Sequence, residues 1–556
     1  MCSKFKIFII KLPTPPGFAI FPGVKVIFLL VFLVHVHFYG LYFLLGNITG
    51  LLVKNVNDCT VNRLSDYTLP SLLYGLTWTF APIPGYIADC YWGRQKVISG
   101  CFLFSFIGTI MLLILESARM NFTHGYCGIV VPIYSVSYVL LALGSSGLLA
   151  IMIPYGVDQL QGAGEITLSN YFYWYVWCTF AAKMTIYGQY INYDRTASGV
   201  AERLSILGNG YIAILALFIA IFVFKFSQIL NILVPVVPIL NPLKLIYQVV
   251  VNAYKTRKDS DPALKMYSKR QWIDYATIDF GGRFSYEHVN SVKTLINMLP
   301  IMFCLVWIYS ITNEFPYDLF IAQGAQMITT NSSVSDTQII SYVTTGLTIL
   351  VMIPIIEIPW VGIKIRKILP TILSRLFFGT LVLTIAYIFA CTIELTRLVN
   401  CDSNGIRYIP IEVQIPQYIL IGIGSVFILA NSFEFVYAQT PLMMKGIVFG
   451  VLSSMYGIGS LLPSLIYEIL TQFGKGKEIQ CKDTIIAIYQ TEMLDQCVGK
   501  CTKSYVTFCL IIFLSMVHSV IFCIVIRRYK HWNRNRVEGD VRYFSPITRL
   551  IPNVIN

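Results

Sequence analysis

Among the ionisable side chains inside the long apolar runs of this 556-residue chain, four could do chemistry: His35, His37, Lys183 and Glu434. A charge in hydrocarbon is expensive, so such a residue marks a pathway, a proton relay or a buried partner. Glu434, in Phe433-Glu-Phe-Val-Tyr437, can hold an ammonium group or pair with a neighbouring helix. Lys183, in Phe180-Ala-Ala-Lys-Met184, can meet a carboxylate, pair with Glu434 or snorkel to the interface. The two histidines titrate near neutrality and are the candidates for carrying a proton. At i and i+2 of a helix they point in different directions, so both cannot face one cavity. Tyr39, Trp78, Trp177, Trp307 and Tyr456 are the candidate aromatic wall.

The elements that must position these groups are membrane helices. The chain is 56% hydrophobic and only 12% charged, with mean hydropathy +0.67. A soluble protein of this size carries about a quarter charged residues. The apolar residues fall in runs long enough to span a bilayer, and in lipid each run must satisfy its own backbone as a helix. Twelve spans are predicted. Six lie at about 25–48, 66–90, 97–116, 128–153, 169–190 and 209–229, and six at about 293–312, 340–362, 369–393, 415–437, 446–470 and 505–526. The reading is an all-α membrane protein with a cytoplasmic segment 1–24, a six-helix bundle 25–230, a cytoplasmic linker 231–292, a second bundle 293–527 and a tail 528–556. Two six-helix bundles are the layout of the major facilitator fold, with the solute site between them near the midplane.

The formal net charge of +13 sits in short loops and tails, which argues against nucleic acid as a partner and for a lipid surface. Lys255, Arg257, Lys258, Lys269 and Arg270 of the linker, Lys364, Arg366 and Lys367, and Arg527, Arg528, Lys530, Arg534 and Arg536 of the tail all become cytoplasmic with both termini inside. Three N-x-S/T sites, Asn47, Asn121 and Asn331, then fall outside, where glycosylation acts. Cys59, Cys127, Cys401, Cys481, Cys497 and Cys501 fall in the same outer loops, where a disulfide can persist. No cleavable signal peptide is expected. No Gly-Lys-Ser/Thr phosphate loop, no metal-spaced His/Cys cluster and no Gly-x-Ser-x-Gly elbow occurs. The expectation is a transporter that is not an enzyme, uses no cofactor and no metal, and works as a monomer.

Five segments carry a resemblance. Gly85-Tyr-Ile-Ala-Asp89-Cys-Tyr-Trp-Gly93-Arg94-Gln-Lys96 is similar to the cytoplasmic loop motif of major facilitators. Gly85 and Gly93 permit close approach and turning, and the Asp89/Arg94 cluster is the expected latch of the outward-facing state. Pro154-Tyr-Gly-Val-Asp158-Gln159, Asn170-Tyr-Phe-Tyr-Trp174, Trp272-Ile-Asp274-Tyr-Ala276 with Gly281-Gly-Arg-Phe-Ser285, and Phe433 through Lys445 resemble the proton-coupled oligopeptide transporter family (solute carrier family 15), especially its peptide/histidine branch. The resemblance implies proton-coupled symport of di- and tripeptides, with histidine as a further substrate, in an endolysosomal or plasma membrane. It implies that Glu434 holds the peptide's amino group.

The chain also departs from that family. The first-span Glu-x-x-Glu-Arg is missing: Val31, Val34 and His35 stand at the matching positions, although Phe38-Tyr39-Gly40 survives. Leu149 stands where the family has a carboxylate-binding lysine, and Trp177 where it has an asparagine. Lys183, His35 and His37 are the candidate replacements, and Glu357 matches an acidic position expected to be an interfacial anchor. The alternatives are a facilitator of the same fold with altered substrate and no proton drive, or a non-transporting sensor.

Overall fold

The computed structural model describes residues 15, 17–55, 75–119, 127–194, 200–236, 238, 241–259, 271–312, 314–325, 327, 334–399, 401–402, 405–406, 409–441, 444–473 and 505–537. Among these, the long elements are all helices; the strands are a two-residue antiparallel ladder, Cys401–Asp402 with Gly405–Ile406.

In the first half, α1 is Pro22–Asn55, and α2 is Pro82–Ile87, preceded by helical residues 75–79. Then come α3 Arg94–Arg119, α4 Cys127–Asp158, α5 Glu165–Asp194 and α6 Val200–Ile229. A short amphipathic helix, α7 Pro242–Asp259, follows in the linker. The second half holds α8 Tyr286–Thr312, a short α9 Glu314–Ala325, α10 Val334–Glu357, a ten-residue α11 Pro359–Ile368, α12 Ile372–Val399, α13 Ile415–Gln439, α14 Lys445–Phe473 and α15 Tyr505–Val537.

Ten of the described segments are long and apolar enough to cross a membrane, and two of the twelve expected spans are not among them. The two that fall short are the ones nearest the site chemistry. The span expected at 66–90 is described from residue 75 and is broken: Pro82 and Pro84 remove backbone donors, and a π-helical turn, Ala88–Trp92, ends it. The span expected at 169–190 is α5, an unbroken 30-residue helix. Ser169, Asn170, Thr179 and Lys183 keep it less apolar than its neighbours.

The apolar outer faces of the long helices remain uncovered. Ile114, Phe218, Phe513 and Ile524 are all exposed, a pattern that hydrocarbon explains and water does not. Within each half the helices pack on their own kind: α3 on α4, α1 on α5 and α6; α12 on α13 and α15, α8 on α14. Two seams join the halves, α14 against α2 and α4, and α5 against α10 and α13.

Candidate substrate cavity and its gates

A cavity opens between the seams, with about 50 Å³ available to the centre of a water-sized sphere. That holds a few waters. His35 and Tyr39 of α1, Trp78 before α2, Leu149 of α4, Thr179 and Lys183 of α5, Tyr309 of α8, Phe433 of α13, and Ser453 and Tyr456 of α14 line it. Both halves contribute.

Lys183 is the cation of this wall. Its Nζ stands 5.5 Å from the ring centres of Tyr39 and Tyr187, 5.6 Å from Tyr342 and 5.8 Å from Phe180. Ring faces are electron-rich and stabilise an ammonium in a dry place. Tyr187 and Tyr342 stack at 4.1 Å across the α5–α10 seam, further along α5 from its Asn170 end than Thr179 and Lys183. Trp78 and Tyr456 meet at 4.8 Å across the other seam, and Tyr309 adds a third ring 5.2 Å from Tyr456.

The histidines diverge as their spacing requires. His35 Nδ1 lies 2.7 Å from the Val31 carbonyl. A carbonyl only accepts, so Nδ1 carries the hydrogen and Nε2 is the basic nitrogen, 3.4 Å from the Thr179 hydroxyl at the cavity. His37 turns to the Ala213 carbonyl, 3.1 Å away on α6, and is absent from the wall.

At the end carrying the basic loops, the expected latch residues do come together. Asp89 is buried, and its Oδ2 accepts from the backbone N–H of Ile447 at 2.8 Å, at the start of α14 in the other half. A carboxylate at a helix N-terminus answers unsatisfied N–H groups and the positive end of the dipole. Arg94 pairs with Asp89 at 3.4 Å and with Asp158. Gly93 has φ +78°, and a Cβ there would stand 2.6 Å from the Val236 carbonyl. A Cβ on Gly85 would collide with the Gly446 carbonyl, and one on Gly446 would stand 2.6 Å from Asp89 Oδ1, so α2 and α14 touch backbone to backbone. A second bridge lies nearby: Asn170 of α5 donates to Glu357 Oε2 at 2.6 Å and accepts from Arg366 at 3.1 Å. Glu357, expected as an interfacial anchor, instead joins the halves.

Three expected wall residues stand elsewhere. Trp177 donates its indole N–H to the Leu350 carbonyl at 3.1 Å, spanning the α5–α10 seam. Trp307 reaches Ser515 on α15 at 3.4 Å, inside its own half. Glu434 is the larger correction. It is not on the wall; Phe433 beside it is. Its Oε2 is 3.2 Å from Arg375 Nη1, with 12% and 8% of the two side chains exposed. Arg375 lies one turn into α12, and helices α12 and α13 pack closely, so the carboxylate has a partner before any solute arrives. Lys183 does not supply that partner. The signal was an unassigned arginine at the start of the ninth span. We expect Glu434→Gln to lower the thermal midpoint by leaving the buried Arg375 without its carboxylate, a loss of about 3–5 kcal/mol for a fully buried pair and less here. The double variant Glu434→Gln/Arg375→Gln should recover most of it. A thermal melt in detergent in which the single variant equals the wild type would place the ion pair outside the fold's stability.

Asn47 lies within α1, whose side chains there are not described; Asn121, Asn331, Cys59, Cys481, Cys497 and Cys501 lie outside the described residues.

Two helical halves closed around a lined cavity define a multi-pass membrane transporter of the major facilitator type. The human organic anion transporter MFSD10 shares the architecture at TM-score 0.50, with 12% identity, over 91% of this chain and 100% of that one. The POT family pattern matches residues 95–481, and the chain belongs to that family. It is 25% identical over 487 residues to solute carrier family 15 member 3 of Mus musculus, covering 76% of this chain and 80% of the relative. It is likewise 25% identical over 504 residues to protein NRT1/PTR family 7.3 of Arabidopsis thaliana, covering 76% and 77%. The crystal structure of the POT family transporter PepTSo superposes with TM-score 0.59 at 16% identity, over 93% of this chain and 99% of that one.

Proposed function

We propose that the chain is a monomeric secondary transporter that moves small peptides, and histidine, by alternating access, in an endolysosomal or the plasma membrane. The observation that carries this reading is an ammonium group, Lys183, on the wall of a cavity built from both halves. A crystal structure of a POT peptide transporter, in complex with alafosfalin, superposes with TM-score 0.53, which supports a cavity of that kind. Leu149 also lines the cavity, where the resemblance places a lysine. Lys183 restores the cation from a different helix and receives the solute's carboxylate. The hydroxyls of Tyr39, Tyr309 and Tyr456 complete its hydrogen bonding. His35 Nε2 takes the coupled proton at the same wall. Rocking of one half against the other breaks the Asp89–Ile447 bridge at one end and parts Tyr187 from Tyr342 at the other.

One observation favours a second reading. No carboxylate occurs among the described residues of the wall, as in a facilitator without proton drive. Uptake of a labelled dipeptide into proteoliposomes at about pH 5.5 and about pH 7.5 separates the two. Proton coupling predicts several-fold faster uptake at the lower pH, with the difference abolished by His35→Gln while uptake persists. Uptake indifferent to pH supports the facilitator, and none of dipeptide or histidine removes both.

A further inference from the structure

Helix α11 has no buried residue. It lies between α10 and α12, two segments long and apolar enough to cross a membrane, and its ten residues are too few for a further crossing, which assigns them to the membrane surface. Trp360, Ile363 and Ile368 are exposed at 69%, 56% and 68%, and Lys364 and Lys367 are exposed beside them. In water that mixture would be an unpartnered apolar face. In the headgroup layer each part has its medium: the tryptophan and isoleucines reach the acyl boundary, and the lysines meet phosphate. The charge is of one sign, and the Lys/Arg distribution assigns the loop to the cytoplasmic side, where anionic lipid is found.

The third cation of the helix points inward. Arg366 Nη2 donates to Asn170 Oδ1 at 3.1 Å, and Asn170 is in the opposite half. The same amide donates to Glu357 Oε2 at 2.6 Å. One side-chain amide therefore ties α11 and the end of α10 to α5 across the seam.

We propose that α11 is a binding site for anionic phospholipid, and that bound lipid loosens the basic-end gate by competing with Asn170 for Arg366. A guanidinium matches phosphate with two parallel hydrogen bonds. Turning the guanidinium fork onto a headgroup outside draws Arg366 away from Asn170, so lipid binds the open basic end more tightly. A ligand shifts a conformational equilibrium by such a difference in affinity and by nothing else.

The test uses the full chain. Native mass spectrometry from mixed micelles should retain phosphatidylserine over phosphatidylcholine, and Lys364→Gln/Lys367→Gln should lose that preference several-fold. In lipid nanodiscs, replacing about one fifth of the phosphatidylcholine by phosphatidylserine should slow hydrogen exchange in α11 and speed it at the amide of Ile447, the other basic-end bridge. The double variant, altered only at exposed side chains, should show neither change. Equal retention of the two lipids, or undiminished preference in the variant, overturns the site. Preference without faster exchange at Ile447 overturns the link to the gate. Neither readout needs a transported solute, so failure of the transport reading leaves them intact.

Discussion

Asp89→Ala should raise hydrogen exchange at the amide of Ile447 by roughly 10- to 100-fold. That amide is held by a buried carboxylate from the opposite half, 2.8 Å away. A hydrogen bond to a charged group contributes about 1.5–3 kcal/mol, and every 1.4 kcal/mol is a factor of about ten in an equilibrium. Exchange reports the open population directly when opening is fast. The fold should survive, because Arg94 keeps Asp158 as its partner. Asp89→Asn should fall between the two, since its amide oxygen can still accept from Ile447 while the carboxylate charge that faces Arg94 is lost. Exchange in Asp89→Ala that matches the wild type would show that this contact does not hold the gate, and the latch assignment would be withdrawn.

Lys183→Gln should weaken dipeptide binding by a similar factor. A carboxylate loses a charge-assisted partner, again about 1.5–3 kcal/mol, while a glutamine of comparable reach keeps the cavity filled. Lys183→Arg should retain part of the affinity, because the charge stays and the geometry changes. The informative control is a dipeptide with its carboxylate converted to an amide. Its weak binding to the wild type should be unaffected by Lys183→Gln, since the missing charge has nothing to meet. If the variant binds the free carboxylate as the wild type does, Lys183 is an ordinary interfacial lysine and the substrate model falls.

Much of this was legible in the residues. Apolar runs of membrane length, split by a polar linker, give helices in two sets because lipid leaves backbone groups no other partner. The Gly85–Lys96 segment was readable because tight turns and backbone contact select glycine, and the structure places Asp89, Arg94, Gly85 and Gly93 at one point. The divergence of His35 and His37 followed from helical periodicity alone. The pairing of Glu434 was not readable in this way. Local sequence shows a carboxylate in an apolar run, but not that Arg375, 59 positions away, packs against it. Trp177 and Trp307 are large rings in spans that line the cavity, and an aromatic ring fits a seam as readily as a cavity wall.

What the sequence determined by itself, then, is the kind of medium the chain lives in, the helices it must form there and the local motif where two of them turn. Period and hydropathy are properties of neighbouring residues, so they survive without knowledge of the packing. Tertiary structure alone decided which charge faces the cavity: Lys183 does, and Glu434 is claimed by an arginine on the preceding helix. In a low-dielectric interior a charge goes to whichever opposite or polarisable partner is nearest, and nearness across helices is set by packing.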